Sequence, residues 1–302
     1  NTTGDNLTAV GSGALTANTT GTANTSVGKN SMYSNTTAID NSAFGVNSLF
    51  TNTTGSLNTA IGRNALLVNT TGANNTSLGA RTLEANTTAS NNTAVGYQSL
   101  TANTTGHSNT ASGNNALYTN TTGYNHTALG YQAMYLSTTG YRNTGVGYQA
   151  GYSITDGTGQ VAMGDRALYS ATGNFNTGLG NLALFANTTA SNNTAVGYNS
   201  LGANTTGTQN VAVGTYALDS NTTANYNTTV GYHSLGLTTT GASNAAFGTS
   251  ALAANTTASN NSAFGFNALT ANTTASNNTA VGTSALGANT TGGGNVAVGY
   301  LT

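Results

Sequence analysis

The chain has 302 residues, and only 11 of them are charged: five Lys or Arg and six Asp or Glu. Asn and Thr together contribute 107 residues and Gly another 40, whereas Pro, Cys and Trp are absent. This composition excludes a disulfide framework and a cysteine-based metal site. Five basic residues are too few for a nucleic-acid-binding surface, and no apolar run reaches the roughly 18 residues that a membrane-spanning helix needs.

One repeat, N-T-A-V-G-Y-x-A-L-x-x-N-T-T-G-x-x, fills the sequence in 18 copies spaced 17 residues apart, with a single step of 16 from Ala162 to Gly178. Within each copy the T-A-V segment predicts a short strand, with the Val side facing inward and Ala on the outer face. The Gly that follows is present in every copy and predicts a bend, because glycine adopts positive φ readily. The N-T-T-G segment is typical of a turn.

A 17-residue repeat is too short for the helical repeat families, which need about 33–47 residues, and suits one coil of a solenoid. We therefore predict an all-β fold, a parallel β-solenoid (β-roll or β-helix) of about 18 coils. A single array is expected over residues 1–302, without distinct capping repeats and with slight irregularity at 137–175. Stacking would form an inner ladder at the Val position, a second at the Leu position, and an Asn ladder just before the strand. The first two ladders begin Val10, Val27, Phe44, Ile61, Leu78, Val95 and Leu15, Met32, Leu49, Leu66, Leu83, Leu100.

The N-T-A-V-G-Y-x-A-L segment resembles the head repeats of trimeric autotransporter adhesins, the YadA-like β-roll. It resembles still more closely the N-T-A-V-G-Y-Q-A-L…N-T-T-G arrays of phage and bacterial tail-fibre proteins. The resemblance covers the whole chain and implies a surface fibre or adhesin, often trimeric. The resemblance is specific for the class of repeat and does not point to a particular activity.

The N-T-T turns are also N-glycosylation sequons, in register from coil to coil. One interpretation is a glycan coat on one outer corner of the array, on these asparagines or on the threonines. The other is that Asn and Thr simply suit turns and ladders. The candidate asparagines are Asn1, Asn18, Asn35, Asn52, Asn69, Asn86, Asn103, Asn120, Asn187, Asn204, Asn221, Asn255, Asn272 and Asn289. Further sequons include Asn6, Asn24, Asn91, Asn125, Asn192 and Asn277.

Aromatic residues gather in the middle of the chain, where the N-T-T turn lapses. They follow the Leu position on five successive coils: Tyr118, Tyr135, Tyr152, Tyr169 and Phe185. One interpretation is an outer stacked ladder with no further role. The alternative is a sugar-free contact patch for a neighbouring rod or a carbohydrate ligand, because tyrosine combines an apolar face with a polar tip.

The residues that could carry catalysis do not converge in the sequence. His107, His126 and His233 lie at different phases of the repeat and are interpreted as surface polar residues, and the six acids form no convincing acid–base pair. The glycine-rich calcium repeat with its aspartate is also missing. We therefore expect a protein that is not an enzyme, with no catalytic residues, no metal site and no cofactor.

Three functions remain open. The first is a structural subunit of an extracellular filament, stacked head-to-tail because the terminal copies resemble the interior ones, and glycan-coated. The second is a trimeric adhesin or phage tail-fibre shaft, and the third is an ice-binding solenoid that displays threonine arrays. Each places the chain outside the cell, on a cell surface or on a virion. The expected partner is another copy of the chain together with covalent glycans, and neither nucleic acid nor insertion into a membrane is expected.

Overall fold

The computed structural model describes residues 2–302 and contains strands and turns but no helix in that range. Every 17-residue repeat contributes one three-residue strand, so 18 parallel strands recur at the repeat spacing. This confirms the predicted fold class: the chain is an all-β, tandem-repeat β-solenoid in which each repeat forms one coil. A coil is defined here as one repeat with its strand, bend and turns.

The described chain comprises two compact units, the first ending at Asp156 and the second spanning Gly157–Thr302. Their boundary lies inside the interval 137–175, where the sequence predicts irregularity. The strands of the first unit, β1 to β9, are Thr8–Val10, Thr25–Val27, Ser42–Phe44, Thr59–Ile61, Thr76–Leu78, Thr93–Val95, Thr110–Ser112, Thr127–Leu129 and Thr144–Val146. Those of the second, β10 to β18, are Val161–Met163, Thr177–Leu179, Thr194–Val196, Val211–Val213, Thr228–Val230, Ala245–Phe247, Ser262–Phe264, Thr279–Val281 and Val296–Val298.

Within each unit every strand pairs in parallel with the next strand along the chain. The register places each residue opposite its counterpart one repeat later, as in Ala94 opposite Ala111. The pair β10–β11 absorbs the shorter step, with Ala162 opposite Gly178. A side chain of one coil therefore always lies on the same residue position of the next coil, and a repeated sequence becomes a set of straight ladders.

The inward-facing strand residue is the central one, and the prediction that the Val side faces inward is wrong. Ala94 is fully buried, whereas Val10, Phe44 and Leu78 of the third strand position keep 57%, 39% and 43% of their surface exposed. The reason is the width of the coil interior. Where Gly145 takes the central position, an added Cβ would lie 2.7 Å from Met134 Cγ, so only a small residue fits between the strand and the opposite wall.

The opposite wall is the predicted ladder at the Leu position, which is confirmed. Met32, Leu49, Leu66 and Leu100 are fully buried, and so is the small residue before each of them. The buried leucines adopt a left-handed backbone, with φ of 51° at Leu49 and Leu100. This conformation turns the chain back toward the next N-T-T turn within a few residues.

The glycine after each strand forms the predicted bend. Gly113, for example, has a φ of +146°, and a Cβ there would lie 2.2 Å from the carbonyl oxygen of Gly130 in the next coil. Two constraints therefore select glycine at this position: the backbone conformation disfavours any side chain, and the neighbouring backbone occupies the space that Cβ would take.

Candidate functional site

Two ladders of asparagine side chains run through the interior and join neighbouring coils. The first, the strand ladder, consists of the asparagines that precede the strands. In it Asn92 accepts a hydrogen bond at Oδ1 from the backbone N–H of Asn109, at 3.0 Å. Asn92 Nδ2 donates to the carbonyl of Gly106, also at 3.0 Å. The Asn92 side chain thus bonds a backbone N–H of the next coil and a backbone carbonyl of the same coil. This pattern confirms the predicted Asn ladder.

His126 occupies one rung of the strand ladder, and its interpretation as a surface residue is wrong. It is 1% exposed. Its backbone N–H donates to Asn109 Oδ1 at 3.0 Å, and its Nδ1 accepts from the backbone N–H of Asn143 at 3.3 Å. Burial lowers the pKa of His126 to about 4, because an imidazolium ion would lose its hydration inside the coil.

We expect the stability of the chain to fall as the pH drops from about 6.5 to about 4. The unfolded histidine takes up its proton near pH 6.5, whereas folded His126 stays neutral down to a pH of about 4. The stabilisation that the neutral His126 side chain contributes to the folded state is complete above pH 6.5. It decreases below that pH, by up to about 3 kcal/mol. Urea unfolding of the wild type and of His126→Asn across this range measures the effect. The variant restores the ladder asparagine, and the gap between the two proteins should widen toward pH 4; a constant gap would contradict the assignment.

The asparagines of the N-T-T turns form the second ladder, the turn ladder, and they point into the coil. Asn52 Nδ2 donates both to Asn35 Oδ1 at 3.1 Å and to the carbonyl of Gly55 at 2.8 Å. Both amide hydrogens are therefore in use inside the protein, and a glycan on Nδ2 would have to replace one of them. Asn18, Asn35, Asn52, Asn69, Asn86, Asn103, Asn120, Asn187, Asn204, Asn221, Asn255 and Asn272 are all at most 1% exposed.

The folded coil thus leaves no room for a glycan on these twelve predicted sites. Of the other two, Asn289 is half-buried with its Nδ2 bonded to Asn272 Oδ1 at 3.2 Å, and Asn1 lies outside the described residues. Sequon matching alone could not reveal this, because the same N-T-T letters describe an exposed turn and an inward-facing one.

The accessible groups of the same coils are different residues. The second threonine of each turn is exposed, as at Thr37, Thr54 and Thr105. The first threonine instead donates its hydroxyl to the next coil, as Thr36 Oγ1 does to the carbonyl of Thr53 at 3.0 Å. Among the further sequons, the exposed asparagines are Asn6, Asn91, Asn125, Asn192 and Asn277, whereas Asn24 is buried in the strand ladder.

The five aromatic residues of the predicted contact patch are half-buried and divided between the two units. In the first unit Tyr118 stacks on Tyr135 with ring centroids 5.1 Å apart, and Tyr135 stacks on Tyr152 at 5.3 Å. In the second, Tyr169 stacks on Phe185 at 5.3 Å. The nearly parallel rings cover one another's faces, so the ladder presents ring edges outward. The stacked arrangement is therefore observed, while a contact role stays a prediction.

The third position of the strands, apolar in all of them except at Ser112 of β7, forms an outward-facing line of side chains that we call the outer apolar row. In the first unit Phe44, Ile61, Leu78 and Leu129 are 37–43% exposed. In the second unit, Met163, Val230, Phe264 and Val281 are exposed to the same degree, 38–43%. Sequence reasoning placed these residues inside the coil and so missed this surface.

The remaining candidates for chemistry stay apart. His107 is exposed and stacks on Tyr124 at 5.0 Å, and half-buried His233 lies near Asp219, whose pKa is raised mainly by burial. Among residues 2–302, no group of three or more His, Asp or Glu side chains is placed to hold a metal ion. In the same range no helix is long and apolar enough to cross a membrane.

The fold and these surfaces define a tandem-repeat β-solenoid whose coils are joined by amide ladders. The chain matches no protein-family model, and no curated protein is significantly similar to it.

Proposed function

We propose that the protein is a structural subunit of an extracellular filament, in which copies stack head-to-tail by coil-to-coil contacts. The observation that carries the proposal is the uniform coil interface. Each coil pairs one edge of its strand and one side of its amide ladders with the opposite edge and side of the next coil, as in β6 with β7. Such an interface joins two different faces, and a contact of this type generates an open linear assembly when the copies do not close into a ring.

The extracellular setting is supported by the resemblance to adhesin and tail-fibre repeats, and by a surface that is polar through amides and hydroxyls rather than charge. A glycan coat is part of the proposal, but on different residues from the turn asparagines. The exposed second threonines of the turns, and exposed sequons such as Asn91 and Asn125, are the groups that a sugar could occupy without entering the coil.

Cryo-electron microscopy of the purified native protein tests both parts. We expect long filaments in which the strand spacing of about 4.8 Å continues from one copy into the next. Any extra density should extend from the exposed threonines or exposed sequon asparagines. The filament proposal would be overturned if only discrete particles one chain long were found, even after the protein had been concentrated well above the level used for imaging. Density attached to the buried turn asparagines would overturn the reassignment of the coat.

A single methyl group at Gly299 should block head-to-tail stacking. In the preceding coil, a Cβ on Gly282 would lie 2.1 Å from the carbonyl oxygen of Gly299, so each bend glycine faces the coil that follows it. Among residues 2–302, a Cβ on Gly299 meets only the Thr302 side chain, at 2.9 Å, so the space where a following coil would place its bend backbone is open in this range. We therefore expect Gly299→Ala to strain only its own coil, where φ is +144°, and to shift a protein of these 302 residues from filaments to single chains in sedimentation velocity.

Gly294→Ala is the matched control for this experiment. Gly294 lies in the same coil, also has a positive φ, and a Cβ there has no heavy atom within 4 Å. The same repeat position carries Asn277 in the preceding coil, so a side chain there is compatible with stacking. Filaments from Gly299→Ala as long as those from Gly294→Ala would contradict the proposed contact.

A second candidate, a trimeric adhesin or tail-fibre shaft, is favoured by the outer apolar row. A line of half-exposed Val, Ile, Leu, Met and Phe side chains, interrupted in the first unit by Ser112, suits lateral packing against other copies. The two candidates differ in what sedimentation detects: a shaft gives particles of three chains whose mass does not grow with concentration, and Gly299→Ala leaves them intact.

A further inference from the structure

We propose that the first unit carries a binding site for an acidic saccharide, in a cleft between Arg63 and Tyr97. The cleft has a volume of about 290 Å³ and is lined by Arg63, Asn64, Ala80, Arg81, Glu84 and Tyr97. In a chain with 11 charged residues, three of them meet at this one place. This site is independent of filament formation and goes beyond the proposed function.

The cleft exists because a small side chain, that of Ala80, lies between two large ones in the same ladder. Arg63, Ala80 and Tyr97 occupy the same repeat position on three successive coils, and the middle residue is the smallest of the three. At this position in later coils, Tyr131 and Tyr148 stack with ring centroids 5.5 Å apart. The gap over Ala80 therefore has about the thickness of one ring, between a guanidinium group on one side and a half-exposed tyrosine on the other.

The charged groups of the cleft are held in place by one another. Glu84 is only 16% exposed at its side chain and accepts from Arg81 Nε at 2.7 Å. Its other oxygen accepts from Asn64 Nδ2 at 3.1 Å. The ion pair fixes the guanidinium of Arg81 and raises the pKa of that group further. Glu84 is thus a positioning residue: by binding Nε, it restricts the orientation of the Arg81 guanidinium group and of its two terminal nitrogens.

Arg63 supplies the charge that an incoming anion would meet. Its side chain is exposed, and the two ion pairs among residues 2–302 involve Arg81 and Arg166 instead. With Arg81 balanced by Glu84, the cleft carries one net positive charge. An arginine fork suits a carboxylate, which it binds with two parallel hydrogen bonds.

These features together select a carboxylated sugar. Tyr97, which lines the cleft, supplies an aromatic ring on which the C–H face of a pyranose can pack, and Arg81 and Glu84 at the rim offer donors and acceptors for hydroxyl groups. A uronic acid unit within a polysaccharide matches three features of the cleft. Its ring fills the gap over Ala80, its carboxylate binds Arg63, and its hydroxyl groups bond the polar rim.

Binding of α-1,4-linked trigalacturonate to the full chain, followed by isothermal titration calorimetry at low salt, tests the proposal. We expect saturable binding that Arg63→Gln weakens by about tenfold or more, through loss of the charge-assisted contact. Ala80→Tyr should abolish binding while leaving the protein as stable as the wild type, because tyrosine fills the same position at Tyr97 and elsewhere. A thermal melt of each variant separates loss of the site from loss of the fold.

Lys29→Gln is the matched control, because Lys29 occupies the same repeat position two coils before Arg63 and its loss changes the net charge equally. An equal loss of affinity in Lys29→Gln and Arg63→Gln would show diffuse electrostatic attraction and overturn the site. Unchanged binding by Ala80→Tyr would overturn the proposed location. Equal binding of the neutral trigalactose would overturn the role of the carboxylate, and tighter binding of benzoate would overturn the choice of a sugar.

Discussion

Replacing Gly113 with valine should unfold its coil and the coils packed against it. Gly113 has a φ of +146°, a conformation that a β-branched residue does not adopt without strain. The new Cβ would lie 2.2 Å from the backbone oxygen of Gly130, an atom that cannot move without disturbing the next coil. Strain and overlap act together, so we expect a loss above about 4 kcal/mol, the range of the most damaging single substitutions.

The damage should spread along the unit, because each coil is stabilised mainly by its two neighbours. Hydrogen exchange resolved by mass spectrometry should show lost protection in the coil of Gly113 and in the coils on either side. Asn114→Val is the matched control: Asn114 is the next residue, is exposed, and occupies the repeat position where Val46 already lies. It should change stability by no more than about 0.5 kcal/mol. Native protection throughout Gly113→Val would refute the bend assignment.

The repeat period was enough to predict the architecture, because a strict spacing of 17 residues leaves few ways to bury a side chain. The direction of each side chain was harder to obtain. The sequence does contain the relevant signal: the central strand position is Ala, Ser or Gly in every coil except at Thr229, whereas the third position ranges from Val10 to Phe44. A narrow range of sizes indicates a confined position and a wide range an open one. The preference of valine for protein interiors obscured this distinction.

Two features lay beyond sequence reasoning for physical reasons. The buried leucines adopt a positive φ, a conformation that costs L-residues about 1–2 kcal/mol and that no propensity scale assigns to leucine. The turn asparagines face inward because their Nδ2 atoms find acceptors inside the coil, two of them at Asn52, which only the coordinates reveal. His126, by contrast, could have been placed from the sequence, since it lies 17 residues after Asn109 and 17 before Asn143.

The second large effect is expected at the strand ladder, where Asn92→Leu removes a polar rung but keeps a buried side chain. The variant leaves the backbone N–H of Asn109 without the acceptor that Asn92 now supplies at 3.0 Å. It also removes one of two hydrogen bonds to the carbonyl of Gly106, which keeps the one from Asn103 Nδ2 at 2.9 Å. An unsatisfied buried N–H costs about 1–3 kcal/mol and a lost hydrogen bond about 0.5–1.5 kcal/mol, so the two together should cost about 1.5–4.5 kcal/mol. Urea unfolding followed by circular dichroism measures the loss, and faster hydrogen exchange at Asn109 locates it.

Asn91→Leu separates the loss of hydrogen bonds from the change of residue type. Asn91 is adjacent, exposed, and has a φ of 63°. Leu57 adopts nearly the same φ, 61°, at the same repeat position, so leucine is already tolerated there. If Asn92→Leu were no less stable than Asn91→Leu, the ladder would not be a source of stability. If the expected difference is found, the scarcity of large apolar residues in this chain has an explanation: one amide rung stabilises a coil about as much as its single buried leucine, for which full burial is worth about 1.5–3 kcal/mol.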